Sequence, residues 1–83
     1  MSSDNIEKYK ACFVESLEIE EASVNEKLEY NSIPQWDSIG HMSLMSSLEK
    51  IFDISMETDD IIDFSSFIKG KEILTEKYSI IFN

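Results

Sequence analysis

Ser38 stands in the stretch Trp36-Asp37-Ser38-Ile39-Gly40-His41-Met42, where a segment without regular hydrophobic spacing gives way to one with helical spacing. A serine hydroxyl is a weak nucleophile until a base or metal draws off its proton. His41, the only histidine, follows three residues later. On a helix that interval places both on one face, but no third group completes a nucleophile–base–orienter set. His41 is therefore read as a surface or half-buried residue. Cys12 is the only cysteine, so no intramolecular disulfide can form. It lies off the main apolar stripe of its segment and reads as a small semi-buried filler. Glu57, Asp59, Asp60 and Asp63 suggest a cation loop, but the Asp-x-Asp/Asn-x-Asp/Asn-Gly order that calcium loops need is missing. No Cys/His group has metal-ligand spacing, and no glycine-rich phosphate loop is present.

Helices must position these residues. Two glycines and one proline in 83 residues leave little to interrupt them. Asp4 with Glu7 resembles a capping box, and Ile6, Tyr9, Phe13 and Leu17 form one stripe, which predicts a helix over 4–17. Residues 18–36 break the period and read as a long loop, pinned to the core by Val24, Leu28, Tyr30 and Ile33. Trp36 is expected to pack where that loop meets the next helix. Asp37 suits the N-cap of a helix over 38–52, with Leu44, Leu48, Ile51, Phe52 and Met45 inward and Ile39 and Met42 toward another side. Glu57 or Thr58 opens a short helix through Asp63 that turns Ile61, Ile62 and Phe64 inward. Ser65 or Ser66 caps the last helix, whose inner stripe is Phe67, Gly70, Leu74 and Tyr78. A glycine there costs about 1 kcal/mol relative to alanine, so Gly70 predicts the close approach of a neighbouring helix. Gly40 is expected to leave room beside Ser38.

A chain this short makes one domain, residues 1–83, with little space for an enclosed active site. An enzyme is not expected. The net charge is −10, with seven lysines and no arginine. That charge excludes the basic footprint of a nucleic-acid binder and disfavours anionic membranes. Residues 37–63 hold seven acids against one lysine, whereas residues 64–83 hold two acids and three lysines. The middle of the chain is thus the electronegative face, suited to a basic partner. No apolar run is long enough for membrane insertion. Composition and the lone cysteine fit a monomer in the cytoplasm.

The order of these features resembles the acyl carrier protein family, with its peptidyl and D-alanyl relatives. Asp37-Ser38-Ile39-Gly40 is similar to the family's Asp-Ser-Leu attachment motif, with isoleucine for leucine. Leu48-Glu49-Lys50-Ile51-Phe52-Asp53-Ile54, then Glu57-Thr58-Asp59-Asp60 and a serine-capped last helix, continue the likeness, which spans about residues 6–78. The resemblance implies an all-α four-helix bundle of three main helices, one short helix and a long first loop. It implies a 4'-phosphopantetheine arm, derived from coenzyme A and attached to Ser38 by a magnesium-dependent phosphopantetheinyl transferase. Acyl or aminoacyl cargo would ride on the arm as a thioester, supplied by a loading ligase and passed to a downstream transferase or synthase. The transferase supplies base and metal, so Ser38 needs neither. Asp37, Ile39, Met42, Glu49, Asp53 and Glu57, with Asp59 and Asp60, become the expected partner surface. Ser43 and Ser46 stand where fatty-acid carriers often have acidic and apolar residues, which points to a dedicated pathway instead. The other reading is a non-catalytic acidic helical module that docks a basic partner and never takes an arm.

Overall fold

A computed structural model describes residues 5–82. Four helices form in the order α1 (Asn5–Leu17), α2 (Ser38–Phe52), α3 (Thr58–Asp63) and α4 (Phe67–Tyr78). Among the described residues the fold is all-α, with a single 3₁₀ turn, Glu21–Ser23, inside the long first loop. The Asp4 cap expected from the sequence lies outside the described residues. No described helix is long and apolar enough to cross a membrane.

The core is built around aromatic side chains. Tyr9 and Phe13 of α1 meet edge to face at 5.0 Å between centroids, and Phe13 meets Trp36 at 5.3 Å. Such edge-on pairs set the positive rim of one ring against the negative face of the other. Phe64, Phe67, Leu44, Leu48 and Leu74 close the cluster. Tyr9 is fully buried, and its hydroxyl donates to the Phe67 carbonyl at 2.6 Å, which satisfies the polar end of the ring. Burial pushes that phenol well above its ordinary range. Gly70 belongs to the same cluster. A Cβ there would run into the Phe64 ring and the Tyr9 hydroxyl, so the close helix approach expected from the sequence is present.

The first loop is tied down by main-chain bonds. Tyr30 N–H donates to the Ser65 carbonyl and Phe67 N–H to the Leu28 carbonyl, each at 2.9 Å. Val24 and Leu28 are buried and Ile33 half-buried, while Tyr30 stays largely at the surface against Trp36 and His41.

Three helices end without glycine. Glu18, Asp53 and Ser79 adopt left-handed backbone angles (φ 55°, 56° and 60°). The next residue in each case is an isoleucine whose amide returns to the helix: Ile19 to Val14, Ile54 to Glu49 and Ile80 to Leu74. All three isoleucines pack on the core. A left-handed residue followed by an apolar contact is a common way to satisfy the last carbonyls. The same device folds the tail back, so Ile80 and Phe82 pack on the core while Ile81 faces outward.

Four burial expectations are corrected. Ile51 is 40% and Ile62 71% exposed, because each falls on the outer side of its helix. Cys12 is buried, not semi-buried. Asp60, expected at the acidic surface, lies inside. Its Oδ2 accepts from the Tyr78 hydroxyl at 2.6 Å, and Oδ1 lies 2.9 Å from Lys77 Nζ, a charge pairing without a well-aligned hydrogen bond. Tyr78 in turn accepts from the Glu57 N–H at 2.9 Å, so this network fastens α3 to α4.

The Tyr78 hydrogen bond first, and Lys77 second, hold the Asp60 carboxyl below the usual carboxylate range. A folded-state pKa below the unfolded one gives stability that is present above the unfolded value, near 3.9. That stability is lost as pH falls through the folded one. Asp60→Asn is expected to cost about 2 kcal/mol at neutral pH, the scale of a hydrogen bond to a charged group. Urea melts should show the gap between variant and wild type closing in strong acid. A gap independent of pH would mean the carboxylate charge contributes nothing.

Candidate functional site around Ser38

Asp37 and Ser38 divide the work at the start of α2. Asp37 has extended backbone angles, and its Oδ1 accepts from the Gly40 N–H at 2.9 Å, which makes it the N-cap. Its carbonyl accepts from the His41 N–H at 2.8 Å, the first bond of the helix. Ser38 is therefore the first helical residue and not the cap. Its side chain is exposed, and none of the hydrogen bonds among the described residues uses its hydroxyl. The oxygen sits at the positive end of a 15-residue helix, where an attached phosphate ester would be favoured.

Ser38 rims a groove of about 360 Å³ between the first loop, α2 and α3. Tyr30, His41, Met42, Ile62 and Phe64 line it. On the other side, Ser38, Ile39 and Met42 face a shallow depression floored by serines 43, 46 and 47 and edged by Glu15 and Glu18. Ile39 is 78% and Met42 54% exposed, so the Ser38 end presents apolar groups beside carboxylates. Ile62 extends this patch from α3. Reading Ile62 as a core residue hid it, although its place after inward-facing Ile61 in a six-residue helix is a signal that it turns away.

The expected partner residues do not form one cluster. Asp37, Ile39 and Met42 gather at Ser38. Glu49 and Asp53 lie at the other end of α2, 11 and 15 residues on, or roughly 16 and 22 Å along a helix at 1.5 Å per residue. Glu49 is half-buried, and its Oε2 accepts from the Met56 N–H at 2.8 Å, bracing the turn after α2. Asp53 is exposed but serves as the left-handed residue that ends the helix. Glu57 is exposed at the start of α3. With Asp60 turned inward, the Glu57, Asp59, Asp60, Asp63 series does not converge. Among the described residues no group of three or more such side chains is placed to hold a metal.

Gly40 is corrected as well. It leaves no room for an arm: it is buried, and a Cβ there would strike the Gln35 carbonyl oxygen and come within 2.9 Å of Leu17 Cδ2. The missing side chain lets α2 lie against the loop that leads into it.

His41 has partners that sequence spacing did not reveal. Trp36 Nε1 donates to His41 Nδ1 at 2.9 Å, and His41 Nε2 lies 2.8 Å from the Ile61 carbonyl oxygen. The ring is therefore occupied on both edges and is not aimed at Ser38 as a base. Cys12 offers no second reactive centre. Burial, reinforced by nearby Glu15, pushes its thiol up to about 11, which suppresses the reactive thiolate.

Comparison of this chain with protein-family models, curated proteins and solved structures finds no match.

Proposed function

We propose that this chain is an acyl carrier protein, which receives a 4'-phosphopantetheine arm on Ser38 Oγ and holds acyl or aminoacyl cargo on it as a thioester. The reading is supported above all by one observation. Ser38 is exposed at the first position of α2 with its hydroxyl unused, because Asp37 does the capping. A serine kept for structure would be expected to cap or to bond; this one does neither.

The arm supplies a flexible tether ending in a thiol, and the protein supplies presentation and recognition. The helix N-terminus favours the phosphodiester. The apolar patch of Ile39, Met42 and Ile62, with Asp37 and the carboxylates of α3 around it, suits enzymes that present a basic rim to an apolar socket. The phosphopantetheinyl transferase, the loading ligase and the acceptor enzyme would each read this end of α2. Exposed Ser43 and Ser46 on the same helix favour a dedicated pathway over fatty-acid synthesis.

Intact-mass spectrometry tests the reading, after incubation with coenzyme A, magnesium and a broad-specificity phosphopantetheinyl transferase. The native chain is expected to gain one phosphopantetheine and Ser38→Ala none, with both variants equally folded by circular dichroism. No gain, under conditions that load a control carrier, would refute it. The acidic docking module would then lead, since the apolar patch with its acidic border stands whether or not Ser38 is modified.

A further inference from the structure

Three elements meet at one imidazole. An indole N–H can only donate, so the Trp36 bond requires a lone pair on His41 Nδ1. A carbonyl oxygen can only accept, so the Ile61 bond requires the proton on Nε2. Both partners select the same neutral tautomer. The two rings are nearly parallel, inclined by 21° with centroids 6.1 Å apart. Trp36 is 0% exposed, so its N–H has no water to turn to if the imidazole fails it.

We infer that His41 is a proton-sensitive strut: its neutral ring ties the loop before Ser38, and α3, to the first turn of α2, and a proton taken up on Nδ1 releases Trp36. The added proton lands on the atom that accepts the indole, so two N–H donors then face each other. The Ile61 bond survives, because Nε2 of the imidazolium still donates. The change therefore falls on the loop side. Trp36 directly precedes Asp37, whose carboxylate caps α2, and Ser38 follows. Acid is expected to loosen the helix start that presents Ser38 while α3 stays docked.

The groups around the ring are few. From the loop, Tyr30 stands against it at 5.3 Å between centroids. From α2, Asp37 offers its main-chain carbonyl to His41 N–H, while its carboxylate is turned to Gly40. From the α3 side come the Ile61 carbonyl and Phe64, with the latter's ring at 6.1 Å. Of the acids on α3, Asp59 and Asp63 are exposed and Asp60 is taken by Tyr78 and Lys77. Among the described residues no ion pair holds the imidazole in its charged form. The device does not depend on whether Ser38 carries an arm.

The chain holds one tryptophan and one histidine, so each gives an isolated spectroscopic signal. Long-range proton–nitrogen NMR at about pH 8, on the neutral side of the imidazole range, should show His41 protonated on Nε2. The other tautomer would overturn the inference without any variant being made. As the pH is lowered until the His41 ring takes its proton, the Trp36 indole resonance should shift and its fluorescence be quenched in the same transition. The protection factor of the Gly40 amide, taken against the intrinsic exchange rate at each pH, should fall severalfold across it. In His41→Gln, whose amide can donate to Ile61 without titrating, all three changes should vanish. Trp36 signals that stay flat while the wild-type ring titrates, or that still titrate in the variant, would each overturn it.

Discussion

Trp36→Ala is expected to cost the chain a large part of its stability. Trp36 is the largest fully buried side chain, wedged edge-on against Phe13 and within reach of Phe64 and Tyr30. Deleting a buried aromatic of this size costs about 3–5 kcal/mol, the lost transfer energy plus the cavity left behind. A domain of this length has only about 0.05–0.15 kcal/mol per residue in total, so the loss consumes a large part of it. Trp36→Phe separates packing from hydrogen bonding. It keeps most of the ring but removes the donor to His41 Nδ1, and should cost about 1 kcal/mol for the bond beyond the smaller volume. Urea unfolding followed by circular dichroism should rank wild type above Trp36→Phe and both far above Trp36→Ala. Equal stability of the two variants would mean that the indole sits in a loose site and does not join the loop to the core.

The main helices were legible in the sequence because their signals are local. Asp37 followed by apolar residues at helical spacing marks α2 from Ser38 to Phe52, and the Ser65-Ser66 pair marks α4, where Ser66 is the one that caps by accepting from the Lys69 amide. Gly70 announced a close approach because nothing else explains a glycine inside a helix. What stayed hidden depends on residues far apart in the chain. Acidity placed Asp60 at the surface, and only the folded chain brings it to Tyr78, 18 positions away. His41 lies five residues from Trp36 but 20 from Ile61, so neither of its bonds follows from helix spacing. The helices over 4–17 and 38–52 end where the sequence puts them, but the left-handed caps at Glu18, Asp53 and Ser79 carry no glycine to signal them; each precedes an isoleucine, and that pair was the available signal. At the site, exposure of Ser38, Ile39 and Met42 followed from their place on α2. The separation of Glu49 and Asp53 from them was also implicit, as helix length alone puts those two at the far end.

Gly40→Ala is expected to destabilise the chain even though alanine is the better helix former. The propensity gain is up to about 1 kcal/mol. Against it, the added Cβ meets the Gln35 main-chain oxygen and, at 2.9 Å, Leu17 Cδ2. A side-chain end can rotate away, but a main-chain oxygen moves only with its loop. Overpacking of this kind costs about 1–3 kcal/mol, so a net loss of about 1–2 kcal/mol should appear in urea melts. Ser46→Ala, at an exposed position of the same helix, should instead be neutral or slightly stabilising, which isolates the collision from propensity. The strain at Gly40 can be relieved only by parting the loop from α2. That motion stretches the Asp37 cap and the Trp36–His41 bond together, since both cross the same junction. In the carrier reading, Gly40→Ala should therefore load its arm more slowly than wild type under conditions where both are fully folded, while Ser46→Ala loads normally. Unchanged stability with normal loading would show that the loop yields freely at Gln35. In that case Ser38 would be positioned by the helix alone, not by the close seating of loop against helix that the glycine permits.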